Sequence, residues 1–272
     1  MNSLLTRAIS AVVALILLFS CFHFLGIFGL KLIATLAVVI GTLELNQMLF
    51  DSSDSKFIRT LFCIFNFLIF LLSVLFPAHG LIVFGFFCVS FCLISLLAQK
   101  KFDSLHSLSF FQQKALLGFI YVGTLPSFAI RLLDIPNGLI WFLGLLGIVF
   151  SGDIGAYVVG LSFGKRKLMP LVSPKKTIEG ALGGLVASMT VGFVLSQYLT
   201  HIPALHLALL ALSTGIFAQF GDLFESQLKR VADIKDSGSI MPGHGGVLDR
   251  IDGVLFASPI LLFGAVLLEG IL

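Results

Sequence analysis

Charge is what this sequence has least of. Only 11% of its 272 residues are Asp, Glu, Lys or Arg, where soluble globular domains carry roughly 25%. So few charges cannot cover a water-facing surface, which excludes an ordinary soluble domain and leaves lipid as the medium for most of the exterior. Tryptophan is nearly absent, with one residue beside 29 Phe; a bilayer sets no penalty on exposed phenyl rings. Cysteine is scarce as well. Cys21, Cys63, Cys88 and Cys92 all lie in apolar runs without C-x-x-C spacing, so they give neither a thiolate metal site nor a disulfide framework and read as small buried hydrophobes. The net charge of +3 is too small to point to nucleic acid.

What is present is a succession of long apolar runs, with 58% of all residues hydrophobic. A membrane-spanning helix needs about 20 such residues. Runs of this kind lie at 8–23, 25–45, 58–76, 81–98, 115–133, 139–161, 181–200, 205–224 and 254–271. The expectation is therefore an all-α integral membrane protein with about nine transmembrane helices. Residues 1–114 form its N-terminal helices, and 115–272 a C-terminal region with polar loops at 164–180 and 225–253. Arg7 and the run after it imitate a signal peptide. Phe19 is bulky where a cleavage site needs a small residue, and more hydrophobic segments follow, so the stretch reads as a retained first helix.

Lysine and arginine give the orientation, because they stay on the cytoplasmic side. Threaded through nine helices, one face receives Arg7, Lys56, Arg59, Lys100, Lys101 and Lys114, the five cations of 165–176, and Lys229, Arg230, Lys235 and Arg250; the other receives Lys31 and Arg131 alone. The expected location is the cell membrane, with the N-terminus cytoplasmic and the C-terminus outside. Both polar loops then share the cytoplasmic face.

Those loops hold the residues suited to chemistry. Asp153 falls in or at the edge of an apolar run, where a carboxylate is costly enough to be a functional candidate. Ser173-Pro174-Lys175-Lys176-Thr177 offers hydroxyls and ammonium groups before a helix; Thr177 is placed to cap it, and free N–H groups there favour an anion. Taken alone, this run reads better as a basic loop against anionic headgroups. Further on, Asp222, Ser226 and Lys229 recur at i, i+4 and i+7, which puts a carboxylate and a cation on one helix face. Asp249 and Asp252, at i and i+3, likewise share one face at the start of the last helix. Carboxylates of this kind hold a hard divalent cation that binds substrate phosphates, while Lys and Arg neutralise a leaving pyrophosphate. Between them, Gly243-His244-Gly245-Gly246 lets the backbone approach a ligand closely, and His244 is placed to donate to a phosphate or orient a carboxylate.

At these residues the sequence resembles the phosphatidate cytidylyltransferase (CDP-diacylglycerol synthase) family. The family's signature, S-x-hydrophobic-K-R-x4-K-D-x-small-x2-aliphatic-P-x-H-G-G-hydrophobic-x-D-R-hydrophobic-D, runs from Ser226 to Asp252 with its spacing intact. Met241 stands where the family has Leu, Ile or Phe, a volume-conserving change. The upstream stretches resemble D-x-x-A-Y and S-P-K-K-T-x-E-G, with Ile178 in place of an aromatic residue. The resemblance covers about 115–272 and implies a homodimeric membrane enzyme that needs Mg²⁺ paired with K⁺. It implies transfer of CMP from CTP to phosphatidate, yielding CDP-diacylglycerol and pyrophosphate. Residue by residue, it implies that Asp222 and Asp249 hold the cations and that Lys229, Arg230, Lys235 and Arg250 surround the phosphates. Ser173, Lys175, Lys176 and Thr177 match the upstream substrate-binding block, with Ser226 and Asp236 inside the signature. Two other readings compete. A CTP-using lipid-alcohol kinase would release CDP instead of pyrophosphate. A transporter would scatter its acids through several helices near the midplane, whereas here only Glu44 and Glu269 lie in other apolar runs. Glu44, near a helix end, reads as interfacial or hydrogen-bonded.

Overall fold

The computed structural model describes residues 3–51, 54–241 and 245–271, with only the helical backbone of 3–12, 14 and 15. The helices are α1 (Ser3–Leu49), α2 (Lys56–Leu75), α3 (Gly80–Leu97), α4 (Leu105–Gly118), α5 (Leu125–Arg131), α6 (Gly138–Phe163), α7 (Ile178–Leu195), α8 (Ala204–Val231) and α9 (Leu248–Leu268). A short antiparallel pair, β1 (Lys167–Met169) and β2 (Ser173–Thr177), separates α6 from α7. The all-α membrane architecture stands.

Among the described residues, eight helices are long and apolar enough to cross a bilayer, one fewer than the apolar runs suggested. The difference lies at the N-terminus. The runs at 8–23 and 25–45 join in one 47-residue helix, broken at Gly26 with φ 59° and ψ −141°. That backbone is open essentially to glycine alone. The break is sharp, because a Cβ on Gly29 would lie 2.2 Å from the Cys21 carbonyl oxygen; in a straight helix eight residues span about 12 Å. A second irregularity, a π-helical turn at Phe119–Thr124, joins α4 to α5. It sits just before Pro126, whose missing N–H and bulky ring an α-helix cannot accommodate.

The chain forms two compact units, Met1–Ser127 with Ala232–Arg250, and Phe128–Val231 with Ile251–Leu272. Lipid is as apolar as leucine, so close packing rather than hydrophobicity marks a core here. In the first unit that core is aromatic. Phe50 stacks on Phe111 with centroids 4.2 Å apart, Phe62 stacks on Phe119 at 5.5 Å, and Phe91 meets Phe119 edge-on at 5.2 Å. Outward, α1 and α3 leave Phe24, Leu81 and Leu97 exposed, as lipid-facing residues should be. The four cysteines are free and half-buried.

The second unit is held by small residues. A Cβ on Gly184 of α7 would meet the Gly152 carbonyl of α6 at 2.7 Å, so these backbones touch as only glycine permits. Ser188 reinforces the seam by donating to the Ile148 carbonyl at 2.9 Å. At one end of this unit Glu269 accepts hydrogen bonds from Trp141 Nε1 (2.8 Å) and Asn137 Nδ2 (3.2 Å), and pairs with His201 Nε2 at 3.1 Å. The polar residues of interest lie at the opposite ends of α6 to α9.

Candidate active site

Residues 164–180 form a clasped hairpin rather than an open loop. Lys167 pairs with Thr177 and Met169 with Ser173. Glu179 then ties hairpin to helix, accepting from the backbone N–H groups of Lys165 (3.0 Å) and Arg166 (3.1 Å) and from Arg166 Nε (2.9 Å). Thr177 caps α7 as expected, its Oγ1 accepting from the Gly180 N–H at 3.1 Å. The run Ser173 to Thr177 is thus a fixed strand ending on a capped helix.

Beside it opens a cavity of about 440 Å³, lined by Asp153, Tyr157, Leu161 and Gly160 of α6, Lys175 to Thr177 of the hairpin, and Gln219 and Asp222 of α8. Lys176 forms an ion pair with Asp222 across it. Ser226 donates to the other Asp222 oxygen at 3.4 Å, one helical turn on, as the i, i+4 spacing predicts. Lys229, one turn further along the same helix, reaches Glu225 with its ammonium at 2.5 Å, the i, i+4 partner. Arg230 Nε donates to the Val172 carbonyl at 3.3 Å, which ties the end of α8 to the hairpin. Asp252 is close enough to Asp222, Glu225 and Asp153 to feel all three charges. Four carboxylates from three helices therefore gather where Lys176 and Lys229 bring the compensating charge.

The signature loop, in the first unit, is organised by two other carboxylates. Asp249 Oδ2 accepts from the Ser237 N–H (2.9 Å), Ser237 Oγ (3.0 Å) and the Gly246 N–H (2.8 Å). Glu44 of α1, 4% exposed, accepts from the Val247 N–H at 3.0 Å, the Leu248 N–H at 2.8 Å and Ser237 Oγ at 3.2 Å. The glycines follow from this. A Cβ would lie 2.4 Å from Asp249 Oδ2 at Gly245, and within 2.5 Å of Glu44 Oε1 at both Gly238 and Gly246. The close approach that the glycines permit is made here by the protein's own acids.

Of the residues singled out from the sequence, Ser173, Lys175, Lys176, Thr177, Asp222, Ser226, Lys229, Arg230, Asp153 and Asp252 come together in the second unit. Lys235 and Asp236 are exposed on the loop of the first, and Arg250 is exposed in the first turn of α9. His244 lies outside the described residues. Sequence reasoning passed over Glu225, Glu179 and Gln219. A buried Glu one turn before a Lys was the available signal for the first of these.

Among the described residues no group of three or more His, Cys, Asp or Glu stands ready to hold a metal ion. The donors nonetheless suit Mg²⁺, which prefers carboxylate oxygen, keeps several waters and is bound through one or two carboxylates plus substrate phosphates rather than by an all-protein cage.

These features define an integral membrane protein with a cavity lined by lysines and carboxylates. The comparison with known proteins narrows the class: the chain belongs to the cytidylyltransferase family, whose match spans residues 5–267. It is 34% identical to a phosphatidate cytidylyltransferase of Synechocystis over 98% of both chains. It is 44% identical to one of Bacillus subtilis over 54% of this chain and 55% of the relative, and 42% identical to one of Brucella melitensis over 56% and 57%. In these last two matches the chain spans about half the relative's length.

Proposed function

We propose that this protein transfers CMP from CTP to phosphatidate, giving CDP-diacylglycerol and pyrophosphate for phospholipid biosynthesis. A phosphate oxygen of the lipid attacks the α-phosphorus of CTP, and the bond to the β-phosphate breaks. The lipid phosphate is already an anionic nucleophile, so no side chain forms a covalent intermediate. The work left to the protein is positioning and charge neutralisation. The observation that carries this reading is the Lys176–Asp222 pair on the wall of the cavity, within a chain of this family.

Ser173, Lys175, Lys176 and Thr177 of the hairpin bind substrate, as do Ser226 and Asp236. Lys229, Arg230, Lys235 and Arg250 neutralise phosphate charge, and His244 donates to a phosphate. Asp222 and Asp249 are the carboxylates assigned to Mg²⁺ and its companion K⁺. When bound, the cations neutralise charge that develops on the phosphorus oxygens. On the strength of the family resemblance we include a homodimer. The orientation puts the site at the cytoplasmic side of the cell membrane, where CTP is and where acyl chains can stay in the bilayer. It does not depend on whether α1 crosses once or twice, since that alters only the sides of Arg7 and Lys31.

Incubation of the purified protein with CTP, Mg²⁺ and phosphatidate tests the reading. It expects a CDP-lipid and pyrophosphate in equal amounts. Release of CDP with phosphorylation of a lipid alcohol would indicate the kinase instead, and absence of CTP-dependent product would refute both.

A further inference from the structure

We infer that Glu44 is a positioning residue for this reaction: from α1 it holds Ser237, Val247 and Leu248 in the arrangement that orients Asp249. The inference rests on the assignment of Asp249 to a cation. It goes beyond that assignment, because Glu44 lies far outside the signature and spends its hydrogen bonds on the backbone and hydroxyl of the signature residues.

The geometry leaves little latitude. Glu44 is buried in an apolar helix, a costly place for a carboxylate, and spends both oxygens on the loop. Oε1 takes the Val247 N–H, while Oε2 takes the Leu248 N–H and faces Ser237 Oγ. Val247 immediately precedes α9 and Leu248 opens it, so Glu44 supplies an acceptor to N–H groups that have no partner within the helix. It does so from a residue 203 and 204 positions away. The same Ser237 hydroxyl lies against Asp249 Oδ2 and accepts from the Asp249 N–H at 3.3 Å. A hydroxyl has one proton, so Ser237 serves one carboxylate at a time, and its two N–H partners keep Asp249 in place when the proton goes to Glu44. Glu44, Ser237 and Asp249 thus form one relay. Gly238 and Gly246 are the residues that let it close, since a methyl group on either would strike Glu44.

Glutamine at 44 keeps the volume but has one acceptor oxygen and turns an NH₂ toward an N–H donor. Partners that orient a metal-holding side chain typically carry 10–100-fold of metal affinity or activity when removed. For Glu44→Gln we expect the Mg²⁺ concentration for half-maximal rate to rise about 10-fold or more, with the KM for phosphatidate nearly unchanged. We also expect faster amide hydrogen exchange confined to 237–249, measured on the full-length protein in nanodiscs without substrate. Glu44→Asp, one methylene short, should restore little. Should Glu44→Gln fail to fold, Ser237→Ala carries the test, with the same Mg²⁺ shift expected. Faster exchange with a wild-type Mg²⁺ profile would overturn the inference, as would a uniform loss of rate with an unchanged Mg²⁺ requirement. Asp249→Asn separates the two levels. If it stays active, the cation assignment falls, whatever exchange in Glu44→Gln shows.

Discussion

The seam between α6 and α7 permits a prediction whose sign can be worked from distances. An alanine at Gly184 would place its Cβ 2.7 Å from the Gly152 carbonyl oxygen, 3.0 Å from Gln219 Nε2 and 3.1 Å from Ala156 Cβ. An ordinary C···O contact needs about 3.3 Å, so the two backbones must separate by about 0.6 Å. Neither can yield as a side chain would. Overpacking of this kind costs about 1–3 kcal/mol, offset by the roughly 0.5–1 kcal/mol that alanine gains over glycine inside a helix. At Gly147, on the same seam, the nearest atom is Val191 Cγ1 at 3.3 Å, the end of a side chain that can shift. There the helical gain should win. Gly147→Ala should hold or raise thermal stability and Gly184→Ala should lower it, the two differing by about 1–3 kcal/mol, several degrees in a detergent melt. Because Ala156 and Gln219 line the cavity, Gly184→Ala should also raise the KM for CTP, which Gly147→Ala should not. Equal melts and equal KM values for the two variants would refute the reasoning.

Three further outcomes are expected. Asp222→Asn should stay folded while kcat/KM falls about 10²–10³-fold, the usual cost of losing one preorganised electrostatic contact; near wild-type turnover across a Mg²⁺ titration would remove Asp222 from the site. Burial pushes the Glu269 carboxyl up, but hydrogen bonds from Trp141, Asn137 and His201 outweigh this and hold it below its ordinary range. Its stabilising effect is therefore present above the ordinary carboxylate range and lost as pH falls through the lowered value. Glu269→Gln should flatten that acid limb of the melting curve, and an unchanged limb would show the cluster to be idle. Finally, single cysteines at Lys165 and Asn137, in a variant without the native thiols, should react with impermeant maleimide from opposite sides, Lys165→Cys from the cytoplasm. Labelling of both from one side would contradict the orientation.

Hydropathy made most of the fold legible, because a spanning segment must be long and apolar whatever it packs against. From Lys56 onward each expected run has its helix. The exceptions are informative. Apolarity cannot say how two adjoining greasy segments connect, so the break at Gly26 was invisible as anything but a gap between runs. The hairpin at 167–177 was missed because its strands are short and its stabilising contact, Glu179 back to Lys165 and Arg166, lies in the following helix. In the candidate site, the i, i+4 spacing gave Ser226–Asp222 correctly. The cation facing Asp222 is Lys176 from another element, which helix periodicity has no means of supplying. Of the two readings of Glu44, interfacial or hydrogen-bonded, the structure shows hydrogen bonds. That its partners would be the signature loop is a pairing across two hundred residues, beyond any local pattern.

Thr177 closes a strand and opens a helix with one hydroxyl, so the residue after Lys176 is clamped. Any travel of the Lys176 ammonium is then confined to its own four-carbon stem and never dragged through the backbone. A group tethered like this can let go of one anion and take up another without disturbing its surroundings, much as a mooring line is moved between posts while the quay stays still.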